Sequence, residues 1–297
     1  MAVFKHSYKG YDGLLTPTWS RFLILPRYAF EELRRKRFYS MFFLVSMIAP
    51  IVYALIIYVE HNLSVLKMLN VRNLIDINPH FFLNFLGVQS MLAFFLAAFV
   101  GPGLISPDLA NNALPLYLAR PFSRAEYVVG KLSVLMILMS FMMWIPGLLL
   151  FILEASLEGN GWFGQNLMIA NALFFGSWIW ILLLSLLALS LSAWVKWKPM
   201  AGGLMFGVFF VAGGFSAAIN AILRTRWGGL INVGHLVGVI WASLFDETRR
   251  HGEGAVFFRA PHGQELPVWC CWLALMAICG FCVYLLSRKI RGAEVVR

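Results

Sequence analysis

Six separate apolar runs, each of about bilayer-crossing length, constrain this chain more than any other feature. A spanning helix needs about 20 predominantly apolar residues, and in lipid the chain must satisfy its backbone polar groups internally. The runs fall at 38–59, 80–100, 127–153, 166–195, 200–223 and 267–286. The expected fold is therefore an all-α polytopic membrane protein with six transmembrane helices. Composition agrees: of 297 residues, 60% are hydrophobic and only 13% charged, against about 25% charged in a soluble domain. The chain divides into a tail and interfacial helix over 1–37 and one six-helix transmembrane domain over 38–297, which includes the connection 101–131 and the loop 224–266.

Residues 1–19 are polar and aromatic and read as a tail on the membrane surface. The stretch 20–37, SRFLILPRYAFEELRRKR, predicts an amphipathic interfacial helix started or interrupted at Pro26, with Leu23, Tyr28 and Phe30 as its apolar or amphipathic residues. Arg34, Arg35, Lys36 and Arg37 close it as an interfacial anchor. Such a cluster suits a helix C-terminus and an anionic leaflet. No cleavable signal peptide is expected, because the first 37 residues are polar or mixed and carry eight Lys or Arg.

Within the spans, Pro50 predicts a kink whose freed carbonyl the bundle must re-satisfy. Pro146 and Gly147 interrupt the third run, which ends in a loop with Glu154, Glu158, Gly159 and Gly161. The fifth run holds Gly202, Gly203, Gly207, Gly213 and Gly214, a composition that invites close helix approach and also permits bending or sliding. Residues 230–245, LINVGHLVGVIWASLF, are apolar but short and glycine-interrupted. They predict an external interfacial or re-entrant segment. As a seventh span they would carry the basic C-terminal tail to the other side of the membrane.

Charge sets the orientation. The N-terminal segment, 101–131, 196–199 and the C-terminal tail hold 17 of the 24 Lys and Arg but 6 of the 14 acids. The other connections hold the remaining 7 basic and 8 acidic residues. Basic loops stay cytoplasmic, so both termini and 101–131 are expected inside and 224–266 outside. The overall charge of +10 then reflects contact with anionic lipid, and nucleic acid is not an expected partner.

Several chemistries lack their residues. No run carries a clear Asp, Glu, Lys or Arg near its centre, which argues against a proton-coupled carrier or an ion channel. Gly130 and Lys131 are followed by Leu132, with no phosphate-binding loop around them, and there is no HExxH or GxSxG. The histidines, His6, His61, His80, His235, His251 and His262, are scattered. His251 and His262 with Glu253 and Glu265 suit a solvated loop better than a metal site. Cys270, Cys271, Cys279 and Cys282 all fall in the last run and read as packing residues. Gln89, Ser185 and Asn220 are expected to hydrogen-bond between helices. No catalytic, cofactor or metal residue is assigned, no nucleophile and base can be paired for an intramembrane enzyme, and the chain is not expected to be an enzyme.

The most informative stretch is 101–131, GPGLISPDLANNALPLYLARPFSRAEYVVGK. Pro102 and Pro107 interrupt the end of the second run, and Asp108 suits the first turn of a short surface helix. Ser123 and Glu126 have the spacing of a capping box for the third span. Lys131 is placed to snorkel at the inner interface. On residue types alone, the stretch is equally an ordinary, well-capped inner loop.

The stretch resembles the cytoplasmic loop of ABC-2 type transporter permeases, whose pattern is an acid, Gly-Thr, a leucine-rich turn, Pro-x-Ser-Arg and a closing Gly-Lys. Asp108 matches the acid, and Leu114, Leu116 and Leu118 match the leucines. Pro121, Phe122, Ser123 and Arg124, preceded by Arg120, match the next element, and Gly130 and Lys131 close the pattern. Asn112 and Ala113 replace Gly-Thr, and Pro115 replaces a common polar residue. The resemblance implies the transmembrane subunit of an ATP-binding cassette exporter in the cell inner membrane, working as a pair with a second permease, identical or homologous. Separate ATPase subunits, carrying ATP and Mg, would bind the cytoplasmic face. A coupling helix near 106–118 would transmit their motion through Asp108, Asn112, Leu114, Leu116, Leu118, Arg120, Pro121, Arg124 and Lys131. The implied cargo is lipid-like, amphiphilic, polysaccharide or peptide. The alternative is a membrane anchor or scaffold of a multiprotein complex with an ABC ATPase that moves no solute, with or without accessory subunits.

Overall fold

A computed structural model describes residues 24–62, 77–111, 113, 123–159, 161–195, 197–245 and 266–290. Among them every regular element is helical and none is a strand. Six helical stretches are long and apolar enough to cross a membrane: Arg37–His61, Pro79–Ala110, Arg124–Glu158, Leu167–Trp194, Lys198–Leu223 and Val268–Lys289, here spans 1 to 6. The protein is thus a multi-pass, six-span helical membrane protein.

Prolines shape the spans as their chemistry requires. Span 1 breaks at Met47, between Arg37–Ser46 and Ile48–His61. Pro50 has no N–H to return to the Ser46 carbonyl. Gln89 of span 2 donates to that oxygen from its Nε2 at 3.1 Å, so the neighbouring helix satisfies the group freed by the kink. Span 3 breaks at Met143, with Pro146 in the first turn of its second half, Trp144–Glu158. That half continues one turn beyond the sequence expectation. Glu154 and Glu158 therefore stand on the helix rather than in a loop, and Glu154 is buried.

Spans 2, 3 and 4 form the core. Their most apolar windows are 67%, 50% and 67% buried, against 11%, 6% and 17% for spans 1, 5 and 6. The centre is closed by indole hydrogen bonds. Trp180 Nε1 donates to the Ser90 carbonyl at 3.0 Å, and Trp241 Nε1 donates to that of Gly176 at 2.9 Å. Ser185 and Asn220 correct the sequence reading: Ser185 Oγ and Asn220 Oδ1 make no hydrogen bond among the described residues. The four cysteines are free and lie on span 6.

Span 5 combines Lys198–Phe206, a π turn over Gly207–Val211 and Ala212–Leu223. Its glycines do not act alike. A Cβ on Gly202 would sit 3.0 Å from the Ala98 carbonyl oxygen, the group left free by Pro102, whereas Gly203, Gly207 and Gly214 face open space. Close approach therefore explains one of these glycines. Phe94 of span 2 meets Phe206, Phe209 and Phe210 of span 5 at ring separations of 5.2, 4.8 and 6.2 Å.

The segment after span 5 enters the bundle. A 3-10 turn, Trp227–Ile231, leads to the helix Val233–Leu244, whose N-terminus is capped by Asn232 Oδ1 accepting from the His235 N–H. Twelve residues rise about 18 Å, too short for a crossing. Trp241 nonetheless reaches Gly176, nine residues into a span that begins at Leu167 and so about 14 Å from its end. The helix is re-entrant and its inward face, including Leu236, Val237 and Ile240, is buried.

The surface helix runs Ile24–Arg35, with Pro26 in its first turn. Leu25, Ala29 and Leu33, spaced by one turn, pack on the core. Tyr28 is 67% exposed, Phe30 is half-buried, and Leu23 lies outside the described residues. Arg34, Arg35, Lys36 and Arg37 are exposed around the break at Lys36, and Arg35 pairs with Glu31 at 3.0 Å.

Candidate functional site at the 101–131 connection

Span 2 does not end at Val100. Gly101 keeps right-handed helical angles and the chain continues as Pro102–Ala110, with Pro102 at its N-terminus. A Cβ on Gly101 would lie 2.5 Å from Ala188 Cβ, so the missing side chain lets span 2 approach span 4. Asp108 stands in the last turn of this extension. The expectation of Asp108 at a helix N-terminus is thus corrected: the extension starts six residues earlier, at Pro102.

The carboxylate finds other partners. Asp108 Oδ2 accepts from Tyr127 Oη at 2.7 Å and pairs with Lys131 Nζ at 2.8 Å. Tyr127 and Lys131 are four apart on span 3 and share a face, and Nζ also lies 5.7 Å from the centroid of the Tyr127 ring. The Asp108 and Lys131 side chains are 17% and 13% exposed, and Tyr127 is fully buried. Lys131 therefore closes an ion pair rather than snorkelling to water. The pair ties the end of the span 2 extension to the start of span 3.

A second tie reaches span 4. Ser192 Oγ accepts from the Ser106 N–H at 2.9 Å and donates to the Pro102 carbonyl at 3.1 Å, standing between groups that an α-helix would join directly. It also accepts from the Ile105 N–H at 3.2 Å. Ser106 Oγ lies 2.9 Å from the Ser192 carbonyl and 2.6 Å from that of Val195. A hydroxyl inserted in the ladder is an identifiable cause of helix bending, and here it also locks the bent segment to its neighbour.

The far end of the connection is set by the predicted capping box. Ser123 Oγ accepts from the Glu126 N–H at 3.2 Å, and Glu126 Oε2 accepts from the Ser123 N–H at 2.6 Å. Arg124 is exposed beside it. Of the sequence-selected residues, Asp108 and Lys131 are brought together. Asn112, Leu114, Leu116, Leu118, Arg120 and Pro121 lie outside the described residues. Tyr127, Ser106 and Ser192 were not selected. The Tyr127 to Lys131 spacing was a readable signal, but nothing in the sequence distinguishes Ser192 from its neighbours Ser185 and Ser190.

Compared with models of known protein families and with curated proteins, the chain matches none. The fold and site define an all-α, six-span membrane protein with a braced helical extension between spans 2 and 3.

Proposed function

We propose that the chain is the permease subunit of an ATP-driven ABC transporter of the ABC-2 type, an exporter powered by separate ATPase subunits on its cytoplasmic face. The observation that carries this reading is the doubly tied extension Pro102–Ala110. Asp108 fastens it to span 3 and Ser106 to span 4. A free loop would dissipate a push from a partner, whereas this segment passes one directly to the core. The motif resemblance supplies the identity of the partner, and the excess of basic residues on this side supports a cytoplasmic location. The exposed faces of spans 1 and 5 support pairing with a second permease. The sequence has no phosphate-binding loop, and the proposed cargo is lipid-like, amphiphilic, polysaccharide or peptide.

Gentle solubilisation followed by native mass spectrometry tests the assembly. The expected complex holds two permease chains and nucleotide-binding subunits. Isolation without any ATPase would overturn the reading. A complex that hydrolyses ATP and assembles a larger machine, with no flux of amphiphiles in vesicles, would favour the scaffold.

A further inference from the structure

On the side opposite the 101–131 connection, His61 ends span 1 beside the last turns of span 3, where Glu154 and Glu158 stand one helical turn apart. His61 Nδ1 lies 3.0 Å from the Ile57 carbonyl oxygen. A carbonyl only accepts, so Nδ1 carries hydrogen and Nε2 is the ring atom left to face the acids. Nε2 is 3.0 Å from Glu158 Oε2 and 3.8 Å from Glu154 Oε1. One ligand atom from each of the three residues lies within 4.8 Å of the others. Glu154 is only 3% exposed, and its Oε2 has no hydrogen-bond partner among the described residues. Glu60, next to His61 in the chain, adds a further negative charge nearby. In a neutral ring Nε2 is an acceptor, so acceptors converge with nothing positive between them. Burying such charge uncompensated is costly.

We propose that His61, Glu154 and Glu158 bind one divalent transition-metal ion of the zinc class, which clamps the ends of spans 1 and 3 together. Zinc takes imidazole nitrogen and carboxylate oxygen at about 2.0–2.2 Å, so neighbouring ligands of a tetrahedral site are about 3.3 Å apart. The two measured separations from Nε2 bracket that value. Calcium and magnesium prefer all-oxygen shells, and the imidazole selects against them. The Ile57 carbonyl orients the ring as the outer partner of a metal-bound histidine does. Three protein ligands leave one position for water. The clamp also answers a packing problem: within the two halves of span 1 only Ser46 and Ile57 are buried.

The test uses the full chain, purified without a polyhistidine tag, stripped with chelator and titrated with Co²⁺ under visible absorption. Zinc content is measured in parallel after dialysis. The expected result is one ion per chain, with Co²⁺ affinity lowered roughly 100-fold or more in Glu158→Gln and in His61→Ala, and retained in Glu60→Gln. Glu158 is half exposed, so its variant is expected to fold, which gel filtration checks. Wild-type protein that binds no ion, or no more than both variants do, overturns the proposal. His61 is then an imidazolium donating to Glu158.

Discussion

At Asp108 a single carboxylate oxygen serves two donors of different kinds, a phenol and an ammonium. Removing either donor alone leaves a nearly buried charge short of a partner, which costs more than the net worth of the pair. Lys131→Met is therefore expected to destabilise the solubilised protein by on the order of 3 kcal/mol, and Tyr127→Phe by about 1–2 kcal/mol. The double variant Asp108→Asn with Lys131→Met should lose less than the sum of the single losses, read as thermal unfolding midpoints. Strict additivity would show that the two groups do not sense each other. Asp108 and Lys131 were both legible in the sequence as members of one motif. Their pairing was not, because contact between them depends on how the intervening chain returns span 3 to span 2.

Among the elements, the broken span 1 is the clearest case of a helix completed by its neighbour. Gln89→Leu strands the Ser46 carbonyl, an expected loss of about 1–3 kcal/mol. Pro50→Ala restores an N–H for the same oxygen, so Gln89→Leu in that background should cost markedly less. An equal cost in both backgrounds would overturn this account of the kink. The span 2 extension gives a second test. Gly101→Ala drives a methyl against Ala188 and should destabilise by roughly 1–3 kcal/mol. Ala188→Gly should restore the part due to span 4, where the contact that remains, to the Ala188 Cα, is 3.6 Å, but not the part due to the Ala97 carbonyl oxygen, 2.6 Å from the added Cβ. Kinks and caps of this sort could be read beforehand. Pro50, Ser123 and Glu126 act within a few residues of their own positions. Ser192 could not be singled out, because its role depends on an approach of spans 2 and 4 across more than eighty residues of chain. The depth of Trp241 was hidden for the same reason. An apolar stretch over 230–245 is equally suited to a surface and to a cleft, and the cleft is made by other elements.

Across the molecule, burial is divided between a sealed trio of spans and three that keep broad apolar faces outward. That division suits lipid on the outward faces and, under the proposed assembly, a second copy on some of them. The orientation is checked by a cysteine placed at Asn111, which is exposed at the end of the span 2 extension. Under the proposed topology a membrane-impermeant thiol reagent should label it from the cytoplasmic side of vesicles and leave intact cells unlabelled. The Ser106 to Ser192 clasp has a mechanical corollary. Span 4 holds Pro102–Ala110 near one end and offers its Gly176 carbonyl to the Trp241 indole towards the other. Under the proposed function span 4 is the drive shaft that carries torque applied beside Ala110 to the tucked helix.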